Sequence, residues 1–270
     1  MAGTDLVVIG AGPGGYVAAI RAAQLGMKVV IAEKDACGGT CLNYGCIPTK
    51  ALYKNAQVMG YMDRSREFGI EIDGYRLDME QVQARKNKIV KTLTGGVEYL
   101  LKSNKVAIEK GCAKIIKAGL VEVTGKDGTV KRLETKRILI ASGSKSSRLP
   151  IEGMDLEGVI TSKEALDMKT VPEEIVIIGG GVIGIEFAGI YQSFGAKVTV
   201  VEFMPHIIPN VDVEITSRLK SLLEKRGISI MTGSKVEKIE KKRKQSVCAG
   251  GCRRQKAGSF LRAGSCVNRT

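Results

Sequence analysis

Two stretches of this chain pass from apolar run to glycine turn in the same order. Residues 5–34, DLVVIGAGPGGYVAAIRAAQLGMKVVIAEK, and residues 174–203, EIVIIGGGVIGIEFAGIYQSFGAKVTVVEF, each read as buried strand, glycine turn, helix, second buried strand and acidic residue. A constant offset of 169 places Gly10 on Gly179, Gly12 on Gly181, Gly15 on Gly184, Gly26 on Gly195, Lys28 on Lys197 and Glu33 on Glu202. Between the copies, ALYKNAQVMGYM predicts a helix over 51–62. Met79, Val82, Ile89, Leu93, Val97 and Leu100 recur at spacings near three, four and seven, which predicts a long amphipathic helix despite Gly95 and Gly96. The segments KVAIEKGCAKI, LVEVTG, VKRLETK and RILIASGS read as strands with glycine turns. Pro150, followed by IEGMD, reads as a crossing between domains, and KEALDM through Pro172 leads into the second copy. The expected fold is α/β with two Rossmann-like dinucleotide-binding domains, at 1–149 and 150–240, the second incomplete. After residue 240 the segment KKRKQSVCAGGCRRQKAGSFLRAGSCVNRT shows neither alternation nor helical period.

Composition narrows the class. The 270 residues can build two cores, and 33 glycines with no tryptophan suit an α/β protein rich in tight turns. No apolar run reaches the ~18–20 residues that a membrane helix needs. The opening MAGTDLVVIGAGPGGYVAAI has no basic leader and is broken by glycines, so a cytoplasmic protein with no membrane partner is expected. Seven cysteines at irregular spacings do not form a secreted disulfide framework. The net charge of +14 suggests nucleic acid until it is located. Residues 241–270 carry nine Lys and Arg and no Asp or Glu, leaving 33 basic and 28 acidic groups before them, a net of +5. The excess belongs to the tail, where it would give only salt-dependent attraction without sequence preference. No specific nucleic-acid partner is expected.

The two repeats carry the full context of the dinucleotide fingerprint. The first glycine makes the tight turn, the second lets backbone approach a pyrophosphate, and the third lets helix pack on strand. Backbone N–H groups and the helix dipole then hold the phosphates. Glu33 and Glu202, at the ends of the second strands, are placed to accept from ribose hydroxyls. A carboxylate at 202 repels a 2′-phosphate, and VVEFMPHIIP offers no arginine to receive one, so NAD is expected over NADP.

The remaining chemistry lies in GGTCLNYGCIPTKAL, residues 38–52. A zinc site fits poorly, because the sequence has a single histidine, His206, which reads as a surface or loop residue, and no metal site is expected. A purely structural disulfide between Cys41 and Cys46 would close too short a loop to stabilise much. In a regular helix these positions lie too far apart to bond without distortion. A strained, reducible pair at a distorted helix start suits redox work instead. The helix N-terminus favours thiolate, Pro48 is tolerated near such a start, and Lys50 adds positive charge one turn after Cys46. Two dinucleotides and a redox disulfide imply a flavin, since a flavin can take up hydride and reduce a disulfide; FAD is therefore expected beside NAD.

With these residues in view, the chain resembles the pyridine nucleotide–disulfide oxidoreductase family, and within it the branch that oxidises dihydrolipoamide. GGTCLNYGCIPTKAL is similar to the family's redox-disulfide motif, the first repeat to its FAD fingerprint, and IIGGGVIGIEFA with VTVVE to its NAD fingerprint. ILIASGS resembles its second FAD segment, with Ser142 where threonine is usual. The resemblance covers roughly residues 4–240. It implies Cys46 as the thiol next to the flavin, Cys41 as the thiol that exchanges with substrate, Lys50 near the flavin edge and Glu186 near the nicotinamide. It implies cofactor contacts at Gly10, Gly12, Gly14, Gly15, Glu33, Lys34, Gly39, Thr40, Lys50, Ala113, Ser142, Gly143 and Ser144 for the first domain. For the second it implies Gly179, Gly180, Gly181, Val182, Ile183, Gly184, Glu186, Glu202 and Val236.

The implied activity is oxidation of dihydrolipoamide, carried on lipoylated proteins of 2-oxo acid dehydrogenase or glycine cleavage complexes, with NAD as acceptor. Glutathione reductase-like members usually carry basic residues where this chain has Glu202, whereas mercuric reductase-like members share the disulfide motif and stay open. Full-length members are homodimers with a third FAD segment and a C-terminal dimerisation domain, which supplies a His–Glu pair to the partner's disulfide. Those segments are expected to be missing here, so a catalytically incompetent nucleotide-binding fragment is an alternative. The tail over 241–270 has the composition of an altered reading frame or arbitrary terminus and is expected to lack regular structure. Cys248, Cys252 and Cys266 within it have no metal-ligand spacing.

Overall fold

The computed structural model describes residues 3–242, 245–251 and 265–268, with side chains over 3–240. It divides into two compact units, Met1–Pro48 with Lys86–Ser144, and Thr49–Arg85 with Lys145–Thr270.

The first unit contains β1 (Thr4–Ile9), α1 (Pro13–Gln24), β2 (Val29–Glu33), α2 (Gly39–Tyr44), the start of α3 (Cys46–Asp63) and most of α4 (Met79–Ser103). It continues with β3 (Ala107–Lys110), β4 (Cys112–Lys117), β5 (Leu120–Thr124) and β6 (Val130–Ile140), and the sheet order is β3-β2-β1-β6-β5-β4. β1, β2 and β3 are parallel, as a strand–helix–strand crossover requires. The segment 105–115, read as one strand, breaks at Gly111, whose φ is +158° and whose N–H donates to the Glu33 carbonyl at 2.9 Å. VKRLETK and RILI, read as two strands, form one. No glycine or proline interrupts 130–140. Its first half pairs antiparallel with β5, and its second half pairs parallel with β1. Leu6, Val8, Val29, Ile31, Val97, Leu101 and Val106 form one core face of this sheet, and Val7, Ala32, Val121, Val123 and Leu133 form the other.

The second unit holds the rest of α3 and α4, then β7 (Val159–Thr161), α5 (Ser162–Ala165), β8 (Glu174–Ile178), α6 (Val182–Ser193), β9 (Lys197–Val201), α7 (Val213–Lys225) and β10 (Ser229–Met231). β11 (Lys235–Lys242) pairs with β12 (Gln245–Gly251), and β13 (Ser265–Asn268) joins a five-stranded sheet of order β10-β9-β8-β13-β7. All pairings in that sheet are parallel. α6 is buried on most sides, with Ile185, Phe187, Ala188, Ile190 and Tyr191 all under 9 % exposed. The Tyr191 hydroxyl donates to the Ala165 carbonyl at 2.5 Å, which satisfies the polar end of the largest fully buried side chain.

Two expectations about boundaries change. The units are not contiguous along the chain, because residues 49–85 join the second. Arg85 Nη1 donates to the Ala51 carbonyl and to Asn55 Oδ1, both at 3.0 Å, and Gln83 Nε2 donates to the carbonyls of Leu166 and Met168, both at 3.0 Å. The Gln83 bonds tie the middle segment to residues beyond 145, and the Arg85 bonds hold α4 to α3 within it. In the tail, the structure departs from the expectation of no regular element at β12 and β13, where backbone pairing with an existing strand needs no side-chain period. Positions 243–244, 252–264 and 269–270, Cys252 among them, lie outside the described residues.

The third glycine of each repeat admits no side chain. A Cβ on Gly15 would overlap the Gly10 carbonyl oxygen, and one on Gly184 would overlap that of Gly179. The atoms met are backbone and cannot swing aside. Gly15→Ala and Gly184→Ala are each expected to lower the unfolding free energy by about 1–3 kcal/mol. Urea unfolding checks this against Gly14→Ala, where nothing lies within 4 Å of the added carbon and no loss is expected.

Candidate functional site

The first glycine turn sits at the carboxyl end of β1. Gly10 has φ +100°, and a Cβ there would overlap the Ala141 carbonyl oxygen and lie 3.3 Å from Ser142 Cα. That contact brings the loop Ser142–Gly143–Ser144, exposed just beyond β6, against the turn. Gly12 is the N-cap of α1, with no side-chain cap and no acidic residue in the first turn. Gly181 stands in the same place before α6, again without a side-chain cap. By contrast Thr161 caps α5 in a capping box with Glu164, and the Asp212 carboxylate accepts from Glu214 and Ile215 at the start of α7. The two helices that follow the glycine turns thus present uncapped N–H groups and the positive end of the helix dipole.

Glu33 and Glu202 hold these turns. The Ala11 N–H donates to Glu33 Oε2 at 2.7 Å and the Asp35 N–H to Oε1 at 2.9 Å. In the second unit the Gly180 N–H donates to Glu202 Oε2 at 2.5 Å and the Met204 N–H to Oε1 at 2.7 Å. Glu202 is 3 % exposed. The sequence reading gave both acids to ribose hydroxyls; the structure engages every carboxylate oxygen with backbone first.

The cysteine pair stands next to the first turn. Gly39, the first residue of α2, has φ +57°, and a Cβ on it would come 2.5 Å from Gly12 Cα. Asn43 Nδ2 donates to the carbonyls of Cys37 at 3.1 Å and Gly39 at 2.9 Å, and the Tyr44 hydroxyl donates to Asp35 Oδ2. The C-terminal end of α2 is therefore tied back to the loop that follows β2. The helix breaks at Gly45, so Cys41 lies in α2 and Cys46 opens α3. A Cβ on Gly45 would approach the Thr40 carbonyl oxygen to 2.9 Å, which explains glycine at the break.

Of the pair, Cys41 is half-buried and Cys46 exposed. Cys37, four residues before Cys41, is 3 % exposed. Burial pushes its thiol up to about 11, with help from the Glu98 and Glu33 carboxylates, so it is a packing residue.

The other expected residues are distributed as follows. Thr40 is exposed within α2, Lys34 is exposed just after β2, and Lys50 is exposed one turn along α3 from Cys46. Ala113 pairs with Val123 in the β4–β5 ladder. Val182 is the exposed first residue of α6, Ile183 follows it, and Glu186 is half-buried one turn on. Val236 is 6 % exposed and its side chain packs with Val176, Ile178, Val201 and Ile239. His206 is exposed in the loop after β9. The sequence reading missed the Asp35–Tyr44 link and the bonds from the acids to their own turns. The offset that aligns Glu33 with Glu202 was a signal for the second.

Among the described residues no group of three His, Cys, Asp or Glu is placed to hold a metal, and no helix is long and apolar enough to cross a membrane.

Comparison with known proteins agrees with this geometry. The family described as pyridine nucleotide-disulphide oxidoreductase matches residues 4–263. Dihydrolipoyl dehydrogenase of Bacillus subtilis (strain 168) is 44 % identical over 240 residues, covering 86 % of this chain and 51 % of the relative. Dihydrolipoyl dehydrogenase of Acholeplasma laidlawii is 43 % identical over 241 residues, covering 87 % and 70 %. A structure of the HOCl-induced flavoprotein disulfide reductase RclA from Escherichia coli, as a Cu(II) complex, superposes with a TM-score of 0.84 at 27 % identity, over 100 % of this chain and 57 % of that one. The chain thus spans about half the length of most curated relatives it matches.

Alkylation kinetics should rank the thiols by these environments. With iodoacetamide at pH 8, Cys46 and Cys112, both exposed, are expected to react first. Cys37 is expected to lag by at least about 100-fold, since a thiol near pKa 11 is thiolate in roughly one molecule in a thousand at that pH. Because its pKa is raised, Cys37 labelling should climb about tenfold per pH unit below 11. Mass mapping across pH 7 to 9.5 reads both outcomes.

Proposed function

We propose, for a chain that belongs to the pyridine nucleotide-disulphide oxidoreductase family, that it works as the two-nucleotide part of a dihydrolipoyl dehydrogenase-type enzyme, passing two electrons from dihydrolipoamide through Cys41 and Cys46 to NAD. The observation that carries this reading is the thiol pair split across a helix break, on a helix whose first residue touches the first uncapped glycine turn. The turns fit dinucleotides because each is a cradle that a side chain would fill, ending in helix N–H groups with no side-chain acceptor. Gly10, Gly12, Gly14, Gly15, Glu33, Lys34, Gly39, Thr40, Ala113, Ser142, Gly143 and Ser144 would hold FAD. Gly179 to Gly184, Glu186, Glu202 and the Val236 main chain would hold NAD. When bound, FAD supplies a carrier that takes two electrons from a dithiol and hands them to a nicotinamide as hydride.

The chain's own residues account for the thiol steps. Starting from the Cys41–Cys46 disulfide, one substrate thiolate attacks Cys41 Sγ, and the Cys46 sulfur leaves as thiolate. The second substrate thiol then attacks the mixed disulfide, which closes the lipoamide ring and releases Cys41 as a thiol. Two electrons pass from substrate to the pair; of the two substrate thiol protons, one ends on Cys41 and the other goes to solvent, since Cys46 is left as thiolate. The N-terminus of α3 stabilises the Cys46 thiolate, and Lys50 adds charge of the same sign. Glu186 takes the place near the nicotinamide.

Lipoylated carriers of 2-oxo acid dehydrogenase or glycine cleavage complexes, assembly as a homodimer and a cytoplasmic setting complete the reading. A disulfide reductase with a different substrate is the second reading, favoured by the likeness to the Escherichia coli flavoprotein.

The chain purified with excess FAD should retain flavin absorbance and oxidise NADH with lipoamide. Cys41→Ser and Cys46→Ser should each lower that rate by roughly a thousandfold or more, with flavin retention unchanged. Rates that survive both substitutions would defeat the thiol assignment, and NADH oxidation with a disulfide other than lipoamide would select the second reading.

A further inference from the structure

The residue that follows the first glycine is held through both its N–H and its carbonyl in both repeats. In the first, the Ala11 N–H donates to Glu33 while the Ala11 carbonyl accepts from the Gly38 N–H at 2.8 Å. In the second, the Gly180 N–H donates to Glu202 while the Gly180 carbonyl accepts from the Ile208 N–H at 2.8 Å. The two amide donors sit at residues with left-handed backbone, Gly38 at φ +98° and Ile208 at φ +48°. Glycine takes that conformation without strain, but a β-branched residue does not. Its persistence at Ile208 means that the surrounding contacts over-determine it. Ile207 is 1 % exposed and its Cγ2 lies 3.1 Å from where a Cβ on Gly180 would be. The second oxygen of each acid holds a further amide, that of Asp35 or Met204.

We propose that Glu33 and Glu202 are positioning residues, which hold each glycine turn in its phosphate-receiving shape before any nucleotide arrives. This deepens the dinucleotide reading of the two turns and rests on it. Holding the two peptide units that flank the Ala11 or Gly180 α-carbon fixes the orientation of the amides that follow into α1 or α6. Those amides are what a pyrophosphate meets. A turn ordered in advance binds tighter because less backbone freedom is lost on binding. The carboxylate is the suitable group, since it accepts on both oxygens. A glutamine of equal size would set its NH2 against one of the two amide donors. Ribose hydroxyls, if they bind there, use lone pairs that the backbone leaves over. Glu202→Arg would strand two amides and bury a cation, so it is expected to weaken NADH and NADPH alike rather than exchange one for the other.

The test compares the full chain with Glu202→Gln, Glu33→Gln and Ile208→Gly. Amide exchange of cofactor-free protein is followed by NMR at Ala11, Asp35, Gly180 and Met204. Glu202→Gln should speed exchange at Gly180 and Met204 by tenfold or more, with Ala11, Asp35 and the β8 amides unchanged; Glu33→Gln should give the converse. Ile208→Gly keeps the N–H and should leave Gly180 protected. Fluorescence titration then compares NADH with the analogue that lacks the adenosine 2′- and 3′-hydroxyls. A positioning acid gives the same loss of affinity, about tenfold, for both ligands on Glu202→Gln. A loss seen with NADH alone, or unchanged exchange at Gly180, would overturn the proposal. If the unmodified chain binds neither ligand, the NAD reading fails while the exchange measurements still decide the role of the acids. If Glu202→Gln does not fold, Glu33→Gln in the other unit decides.

Discussion

A close approach of backbone to backbone organises this molecule. The α-carbon of Gly15 lies so near the Gly10 carbonyl that no side chain fits between them, and Gly184 repeats the arrangement against Gly179. This contact lets the helix that follows the turn start directly over the end of its strand. The first turns of α1 and α6, each in its own unit, then start without a side-chain cap. α5 and α7, by contrast, are capped by side chains, those of Thr161 and Asp212.

Around that shared contact the two copies diverge. In the first, the turn is met by Gly39 and by the loop beyond β6, and Gly39 begins the short helix that carries Cys41. The Tyr44–Asp35 bond ties the far end of that helix to the residue after Lys34, so the thiol pair is fixed to the same loop that Glu33 organises. In the second copy Met204 stands where Asp35 would be, and the loop carrying Ile207 and Ile208 covers the turn instead. One scaffold thus serves a turn with redox chemistry beside it and a turn without.

The break at Gly45 makes the cysteine spacing workable. A continuous helix would carry Cys41 and Cys46 past one another on its surface. Ending α2 at Tyr44 and restarting at Cys46 frees their geometry from the helical repeat and gives Cys46 the start of a long helix. Cys37, close in sequence, has neither property and is held inert by burial.

Much of this was legible in the residue order. The 169-residue offset predicted both strand–turn–helix–strand units, the glycine positions and the acids at the strand ends, because local periodicity and glycine's unique sterics act over a few residues. The long α4 was visible in its apolar spacing, since Gly95 and Gly96 interrupt packing less than they interrupt propensity. Tertiary structure decided the rest. Residues 49–85 are tied to the rest of the second unit through Gln83, whose acceptors are backbone carbonyls that no side-chain pattern announces. Val236 was drawn into the core by its neighbours, and β13 was placed by pairing with the edge of β8. Above all, Glu33 and Glu202 were readable as acids facing a ribose, but their grip on Ala11 and Gly180 depends on a loop returning to within hydrogen-bond distance of a turn 22 residues earlier. Such distances exist only in the folded chain.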